Sequence, residues 1–224
     1  MGRSERLVSA HYVRAQIEND SMNTAENSKI DSLTDDDFNQ VSRILDCELA
    51  ALKAVQQVKT GDRGDFFVPG KLAILFEGYI FWNQLKKRGF NPADYVTGNE
   101  TILYSKWSMQ YYKGGMGEYD RLEQARKINR EAADASISWG MFQIMGFNYV
   151  ACGEESVESF VESMCESEYR QLLLFVNFIK NNPPMLRALQ SKDWDKFAKC
   201  YNGPAYAQNR YDKKLEAAHR KFKG

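Results

Sequence analysis

The sequence predicts one mainly α-helical domain over residues 34–224, with a small β or loop element and a flexible N-terminal segment over residues 1–33. Apolar residues recur at steps of three and four along most long stretches, which is the spacing of an amphipathic helix. Residues that cap or break helices bound these stretches. Strand-like patterning is confined to one short region. A length of 224 residues with 43% hydrophobic residues suits a single domain.

The chain begins polar and becomes helical at Thr34. Residues 1–33 contain few large apolar side chains after Ile17, which predicts a flexible or loosely docked segment. Thr34 is a good N-cap, and the three aspartates after it suit the positive end of the helix dipole. An apolar stripe at helical spacing then continues. The sequence therefore predicts one helix from Thr34 to about residue 59, ending at Gly61.

The middle of the chain mixes turn signals with one short helix. Residues 62–76 combine Gly-Asp and Pro-Gly dipeptides with short apolar runs, which predicts a small β element or an irregular pair of loops. Residues 77–89 predict a helix that stops at a basic last turn and Gly89. The stretch from Asn91 to Tyr119 is rich in Gly, Asn and Tyr and predicts a loop.

The C-terminal half returns to helical patterning. It predicts, in order, a helix over 119–135, a loop over 138–149, a long helical region over 156–182 with room for one break, a short helix over 193–201, and a final helix from about Gln208 to Phe222. Ser156 and Asp193 are placed to cap two of these helices, and Pro183 with Pro184 is expected to stop the long one. Seven or so helices with little strand give a mainly α fold class.

Composition argues against several classes of protein. Thirty basic residues balance thirty acidic ones, so no global charge favours nucleic acid or an anionic membrane. No apolar stretch approaches the ~20 residues that span a bilayer, so we expect no membrane insertion. The N-terminus lacks the apolar core of a secretory signal, which predicts a protein that is cytoplasmic as synthesised.

Cysteines and histidines are too sparse to suggest a metal centre. The four cysteines are far apart and form no C-x-x-C pair, so we expect reduced thiols. The two histidines, His11 and His219, lie near opposite ends of the chain. A metal site or a Ser-His-Asp centre is therefore not expected, and no cofactor is implied.

Three segments at helix junctions have the composition of a sugar-binding site. They are VKTGDRGDFF (58–67) with the ILFEG that follows, SWGMFQIMGFNY (138–149) and CYNGPAY (200–206). Sugar rings offer C–H faces for aromatic stacking and hydroxyls for amide and hydroxyl partners. Aromatic residues at helix ends are also common in hydrophobic cores, so both interpretations stay open on composition alone.

The same segments carry a resemblance to a known family. SWGMFQIMGFNY resembles the "SWG-x-x-Q-I-M-G-x-N" segment of the phage endolysin N-acetylmuramidases, a lysozyme-like group. YDRLEQA, ILFEGYIFW and FAKCYNGPAYAQNRYDKKL resemble that family's "Y-D-R-L-x-x-A", "ILFEGHIFW" and "F-A-x-x-YNGP-x-Y-x-x-N-x-YD-x-K-L". The similarity runs over about residues 40–222. It implies a lysozyme-like fold and cleavage of the β-1,4 bond between N-acetylmuramic acid and N-acetylglucosamine.

Lys59 departs from the family at its most important position. The family's helix ends "V-E-S/T-G-G", and its Glu is the expected general acid, whereas Lys59 stands there in this chain. Glycoside hydrolysis needs a carboxylic acid to protonate the leaving oxygen while positive charge builds on the sugar. An ammonium about 5 Å away would oppose that charge by on the order of 3 kcal/mol at an effective dielectric of about 20. Loss of the acid itself removes about 10²–10⁴ in rate.

Glu77, in the ILFEG segment, is the second carboxylate that the resemblance places in the cleft. It would either support weak turnover or form an ion pair with Lys59 that lowers its pKa, and the second interpretation is the favoured one. A capping or solvated carboxylate is the structural alternative. Tyr79 stands where the family commonly has His, so both departures fall in the same site.

Other residues are implied by the resemblance to contact substrate. They are Tyr119, Ser138, Trp139, Gln143, Tyr201 and Asn202. The apolar residues of the 138–149 segment are alternatively core residues, and for Met141 and Ile144 the core interpretation is preferred. Asp120 and Arg121 are expected to form a structural pair or cap.

Two main functions and a third follow from these residues. The first is a peptidoglycan hydrolase weakened by Lys59, acting as a monomer on glycan strands, and the second is an inactive glycan-binding pseudoenzyme. The third is an intracellular helical scaffold that uses the cleft for a protein partner. The resemblance implies that the protein waits in the cytoplasm and acts on the cell wall after release.

Overall fold

The computed structural model describes residues 33–61, 66–68 and 70–224, with only the backbone described at 66–68, 204–205 and 208. The predicted flexible segment 1–33 lies outside these residues, except for Leu33. The described part contains ten α-helices, which confirms the mainly α class: α1 Asp35–Leu45, α2 Leu49–Thr60, α3 Gly78–Lys87, α4 Gly117–Arg126, α5 Arg130–Ala135, α6 Val157–Glu166, α7 Glu168–Lys180, α8 Pro183–Ser191, α9 Trp194–Asn202 and α10 Tyr211–Lys223. Within the described ranges, no helix has the length and apolar character needed to cross a membrane.

Short strands form two small antiparallel sheets. One pairs β1 (Phe66–Val68) with β2 (Lys71–Leu72), and the other has the order β3-β4-β5, built from Ile74–Phe76, Ile137–Trp139 and Ile144–Met145. The predicted small β element is thus confirmed within 66–76, while residues 62–65 and 69 lie outside the described part.

The prediction of a loop over 138–149 is wrong in part, because strands β4 and β5 lie within it. Ser138 faces Leu75 of β3 and Met145 of β5 in the register of the sheet. Strands of two or three residues are too short to show the alternation by which strands are recognised in a sequence.

The predicted single helix over residues 34–59 is divided at Asp46. Asp46 adopts a left-handed conformation with φ of 49°, and its N–H bonds to the carbonyls of Arg43 and Ser42. Helix α2 then starts after Glu48, whose carboxylate bonds to Lys192 at 2.7 Å and His219 at 2.8 Å. These two bonds hold the pKa of Glu48 down, at about 2. Tertiary partners therefore fix a break that the apolar spacing does not reveal.

Local signals predicted several helix starts correctly. Thr34 and Ser156 cap α1 and α6 in capping boxes, and Asp193 caps α9. The predicted break in the long helical region is present at Ser167. The helix predicted over 119–135 is two helices, since Asn129 caps α5. Beyond the long region, an unpredicted helix, α8, begins at Pro183, where the fixed φ of proline suits a first turn.

Helix α10 packs antiparallel along α2, and this pairing leads to the candidate site. His219 near the end of α10 meets Glu48 at the start of α2, while Tyr211 at the start of α10 lies beside Lys59 at the end of α2. The hydrophobic core of the domain includes Phe76, Phe81 and Trp139, each no more than 2% exposed.

Gly146 directly follows β5 and lies very close to the backbone of α5. A Cβ at this position would lie 2.2 Å from the carbonyl oxygen of Asp134 and 3.0 Å from the Cα of Ala135, both backbone atoms that cannot move aside. We expect Gly146→Ala to lower the free energy of unfolding by about 2–3 kcal/mol, measured by urea denaturation. Gly89→Ala is the control, since Gly89 has a φ of +83° with no atom within 4 Å, and only backbone strain of about 1–2 kcal/mol applies. Equal losses in both variants would contradict the packing account.

Candidate active site

Lys59 lies in the last turn of α2 and reaches across to the end of α9. Its ammonium nitrogen donates a hydrogen bond to Oδ1 of Asn202. The same nitrogen lies 4.0 Å from the centroid of the Tyr201 ring and 5.2 Å from that of Tyr211. An amide oxygen and two aromatic faces are partners that stabilise a cation. Lys59 therefore fastens the end of α2 to the segment that carries the YNGP motif.

The surroundings of Lys59 also remove it from water. The residue is half-buried, and burial lowers the pKa of Lys59 to about 7. Near neutral pH both the ammonium and the neutral amine are populated. Neither form offers the negative charge that a carboxylate would provide after giving up its proton.

Tyr201 and Gln143 join α9 to the small sheet. The hydroxyl of Tyr201 donates to the carbonyl of Phe142 at 2.7 Å. Gln143, with a φ of 49°, uses Nε2 to donate to the carbonyls of Ala73 at 3.0 Å and Gly140 at 2.8 Å. Its Oε1 accepts a bond of 2.9 Å from the hydroxyl of Ser138. The predicted residues Ser138, Gln143, Tyr201 and Asn202 are thus brought together with Lys59 in one bonded framework.

Two other predicted substrate contacts are placed differently. Trp139 is 2% exposed, and its indole N–H donates to the carbonyl of Asp134 at 3.0 Å, which places its side chain in the core. The core alternative holds for Trp139 because β4 is the central strand of its sheet. Tyr119 lies on α4, where its hydroxyl donates to the carbonyl of Leu72 at 3.1 Å.

Glu77 sits between β3 and α3, at the position before the first helical turn. Its carboxylate accepts a hydrogen bond of 2.7 Å from the hydroxyl of Tyr112 and makes no capping bond to α3. Burial raises the pKa of Glu77 to about 7, although Tyr112 and the charge of Arg121 act in the opposite direction. A carboxyl that keeps its proton near neutral pH has the property required of a general acid.

The favoured expectation of an ion pair between Lys59 and Glu77 is wrong. Lys59 is bonded to Asn202 and Glu77 to Tyr112, and within the described residues no ion pair joins the two. The pKa of Glu77 is therefore raised by burial and not lowered by a neighbouring cation.

Comparison with known proteins identifies the family. The family model of the N-acetylmuramidases matches residues 48–223. The chain belongs to the N-acetylmuramidase family. It is also similar to the crystal structure of the Burkholderia AP3 phage endolysin, with a TM-score of 0.75 and 38% sequence identity over 91% of this chain and 76% of that one. This match confirms the lysozyme-like fold. No curated protein matched the chain.

A buried ion pair supports the position of Glu77. Arg121 bonds to Glu118 at 2.8 Å, and both side chains are almost fully buried. Glu118 accepts from the N–H groups of Phe76, Lys113 and Gly114, and Arg121 donates to the carbonyl of Phe76. The pair therefore holds the residue before Glu77 and the loop after Tyr112. The sequence predicts that Asp120 and Arg121 form a structural pair or cap, but the ion-pair partner of Arg121 is Glu118.

Sequence reasoning also missed the loop that supplies Tyr112. The run YSKWSMQYY (104–112) lies between predicted helices and contains four aromatic residues, a density that could have indicated a site. Tyr104 accepts a bond of 3.3 Å from the N–H of Gly78. Tyr79, at the position where the family commonly has His, is half-buried. Burial and the charge of Glu77 raise the pKa of Tyr79 to about 12.

The raised pKa of Glu77 predicts a pH-dependent stability. The folded protein keeps a proton on Glu77 up to about pH 7, whereas the unfolded chain releases it near 4.5. The free energy of unfolding should therefore fall as pH rises from 4.5 to 7, and Glu77→Gln should remove this fall. The free energy of unfolding of Glu77→Gln relative to wild type should be higher at pH 8 than at pH 4. We expect a difference of up to about 3 kcal/mol, measured by urea denaturation at both pH values.

Glu162→Gln is the matched control for this experiment, because Glu162 is exposed on α6. It should show no comparable difference between the two pH values. The same pH dependence in wild type and Glu77→Gln would mean that Glu77 titrates normally.

The contact between Lys59 and Asn202 predicts the effect of a charge at position 202. In Asn202→Asp a carboxylate would replace the amide, and the opposite charge would favour the ammonium. The pKa of Lys59 should rise from about 7 toward its ordinary 10.5, by about 1–3 pH units. The pH dependence of reductive methylation at Lys59 measures this. Asn202→Ala supplies no charge and should not raise the pKa; a similar rise in both variants would rule out the proposed contact.

Proposed function

We propose that this chain binds the glycan strands of peptidoglycan and cleaves them slowly, at the β-1,4 bond between N-acetylmuramic acid and N-acetylglucosamine. Membership of the N-acetylmuramidase family supports peptidoglycan hydrolysis as the class of activity. The environment of Lys59 is the observation that supports slow cleavage. Its nitrogen is engaged by Asn202 and Tyr201 at the position that the resemblance assigns to the general acid.

Lysine at this position weakens catalysis in two ways. A general acid must give a proton to the leaving oxygen and then carry negative charge beside a cationic transition state. The ammonium of Lys59 opposes that cation, and the neutral amine neither donates readily nor stabilises it. The polar framework around it, with Tyr201, Gln143 and Ser138, is retained. Binding of the glycan is therefore affected less than its cleavage.

Glu77 is the carboxyl best suited to the remaining turnover. Burial keeps Glu77 protonated in part near neutral pH, against the opposing effect of its bond from Tyr112. Since no ion pair with Lys59 lowers the pKa of Glu77, the interpretation in which Glu77 supports weak turnover gains over the alternative. A purely binding pseudoenzyme remains the second candidate, and Lys59 is the observation that favours it.

Restoring a carboxyl at position 59 should restore lysis. Lys59→Glu is expected to raise the rate of turbidity loss of purified cell walls by about 10²-fold or more. Lys59→Gln is the matched control, because it removes the charge without supplying an acid, and its gain should stay about 10²-fold or more below that of Lys59→Glu. An unmodified protein that already lyses walls rapidly, with no gain in Lys59→Glu, would contradict the proposal.

Sedimentation with purified cell walls separates the competing functions. The unmodified protein should bind walls, and Glu77→Gln should abolish its slow lysis without abolishing binding. Binding with no measurable lysis would favour the pseudoenzyme. Failure of both wild type and Lys59→Glu to bind would favour a role outside the cell wall, such as a scaffold for a protein partner.

A further inference from the structure

The segment from Val96 to Met116 is a long loop with an ordered frame. It connects a 3-10 helix (Pro92–Tyr95) to α4 and exceeds the ~12–15 residues that irregular loops usually reach, a length most common in functional loops. Its base is fixed by the buried side chains of Ile102 and Leu103. Its far end is fixed by the N–H groups of Lys113 and Gly114, which donate to Glu118.

The same loop exposes large apolar side chains. Six such side chains are exposed in the described part of the chain, and three of them belong to this loop: Trp107, Met109 and Met116. Trp107 is 43% exposed, although its loop is held by backbone bonds and by contact of the Tyr104 and Tyr111 rings at 5.1 Å. An exposed tryptophan on a fixed frame contributes little to folding and is typical of a binding surface.

Trp107 is also connected to the candidate active site. Burial and the charge of Glu77 raise the pKa of Tyr112, and the indole of Trp107, in the same loop, acts in the opposite direction. Tyr112 in turn donates to the carboxylate of Glu77. The loop that carries the indole therefore also supplies the hydrogen bond to the carboxyl that we assign to the remaining turnover.

We propose that Trp107 and its loop form a sugar-binding subsite that stacks on an N-acetylhexosamine ring of the glycan strand beside Glu77. This inference rests on the proposed function, since it names where the same substrate is held. The indole offers an apolar face for the C–H face of the ring, and Tyr112 of the same loop donates to Glu77. The loop carries the aromatic face and the junction between β3 and α3 carries the carboxyl, so stacking would position the sugar relative to the acid.

Binding of N-acetylglucosamine tetrasaccharide to the full chain tests the subsite by calorimetry. Trp107→Ala should weaken binding about tenfold, as expected for loss of a tryptophan at the centre of an interface. Trp107→Phe keeps an aromatic face and should stay within about threefold of wild type. Phe222→Ala is the matched control, because Phe222 is 39% exposed at the end of α10 remote from Lys59, and its binding should be unchanged.

Fluorescence quenching measures the exposure of Trp107 directly. Iodide should quench the fluorescence of this exposed indole in the free protein, and the tetrasaccharide should protect it. Trp107→Phe supplies the background from the other three tryptophans. Unchanged urea midpoints in the variants would show that the effects are not losses of fold.

The outcomes separate this inference from the proposed function. If wild type binds the tetrasaccharide or purified walls and Trp107→Ala binds equally well, the subsite is wrong and the proposed function stands. If wild type and Lys59→Glu bind neither, both are wrong. Loss of binding to walls in Trp107→Ala with rescue in Trp107→Phe would support the subsite even if the soluble oligomer is too short to bind.

Discussion

The contact of Lys59 with Asn202 and Tyr201 is the interaction on which the rest of the site depends. It joins the last turn of α2 to the last turn of α9, two segments 143 residues apart in the chain. Tyr201 then bonds to the turn before β5, and Gln143 in that turn bonds back to Ala73 beside β3. A lysine can make this contact because its partners are an amide oxygen and aromatic rings. The contact therefore connects α2, α9 and the small sheet in a chain with the fold of a muramidase.

Burial shifts the pKa values of Lys59 and Glu77 in opposite directions and brings both close to neutral pH. It disfavours the ammonium of Lys59 and the carboxylate of Glu77, so that each pKa moves to about 7. The two groups do not neutralise each other, because each has its own partner. This separation leaves Glu77 able to hold a proton near neutral pH, which is the property that our proposal requires of it.

The sequence indicated the local features of the fold well and the long-range ones poorly. Caps at Thr34, Ser156 and Asp193 were predictable because they depend on side chains within three residues. The breaks at Asp46 and Asn129 were not, because apolar spacing continues across them. A catalytic role for position 59 was predicted only through the resemblance to a family. The partners of Glu77 were missed because Tyr112 lies 35 residues away in a loop with no regular pattern.

A structure of the chain with a bound N-acetylglucosamine oligomer tests the central claim most directly. The account predicts that the oligomer lies between Lys59, Glu77 and Tyr201, with a glycosidic oxygen in reach of the amine at position 59 and with that amine still beside Asn202. An oligomer bound on another face of the domain, or a Lys59 side chain displaced into solvent to admit the sugar, would contradict it.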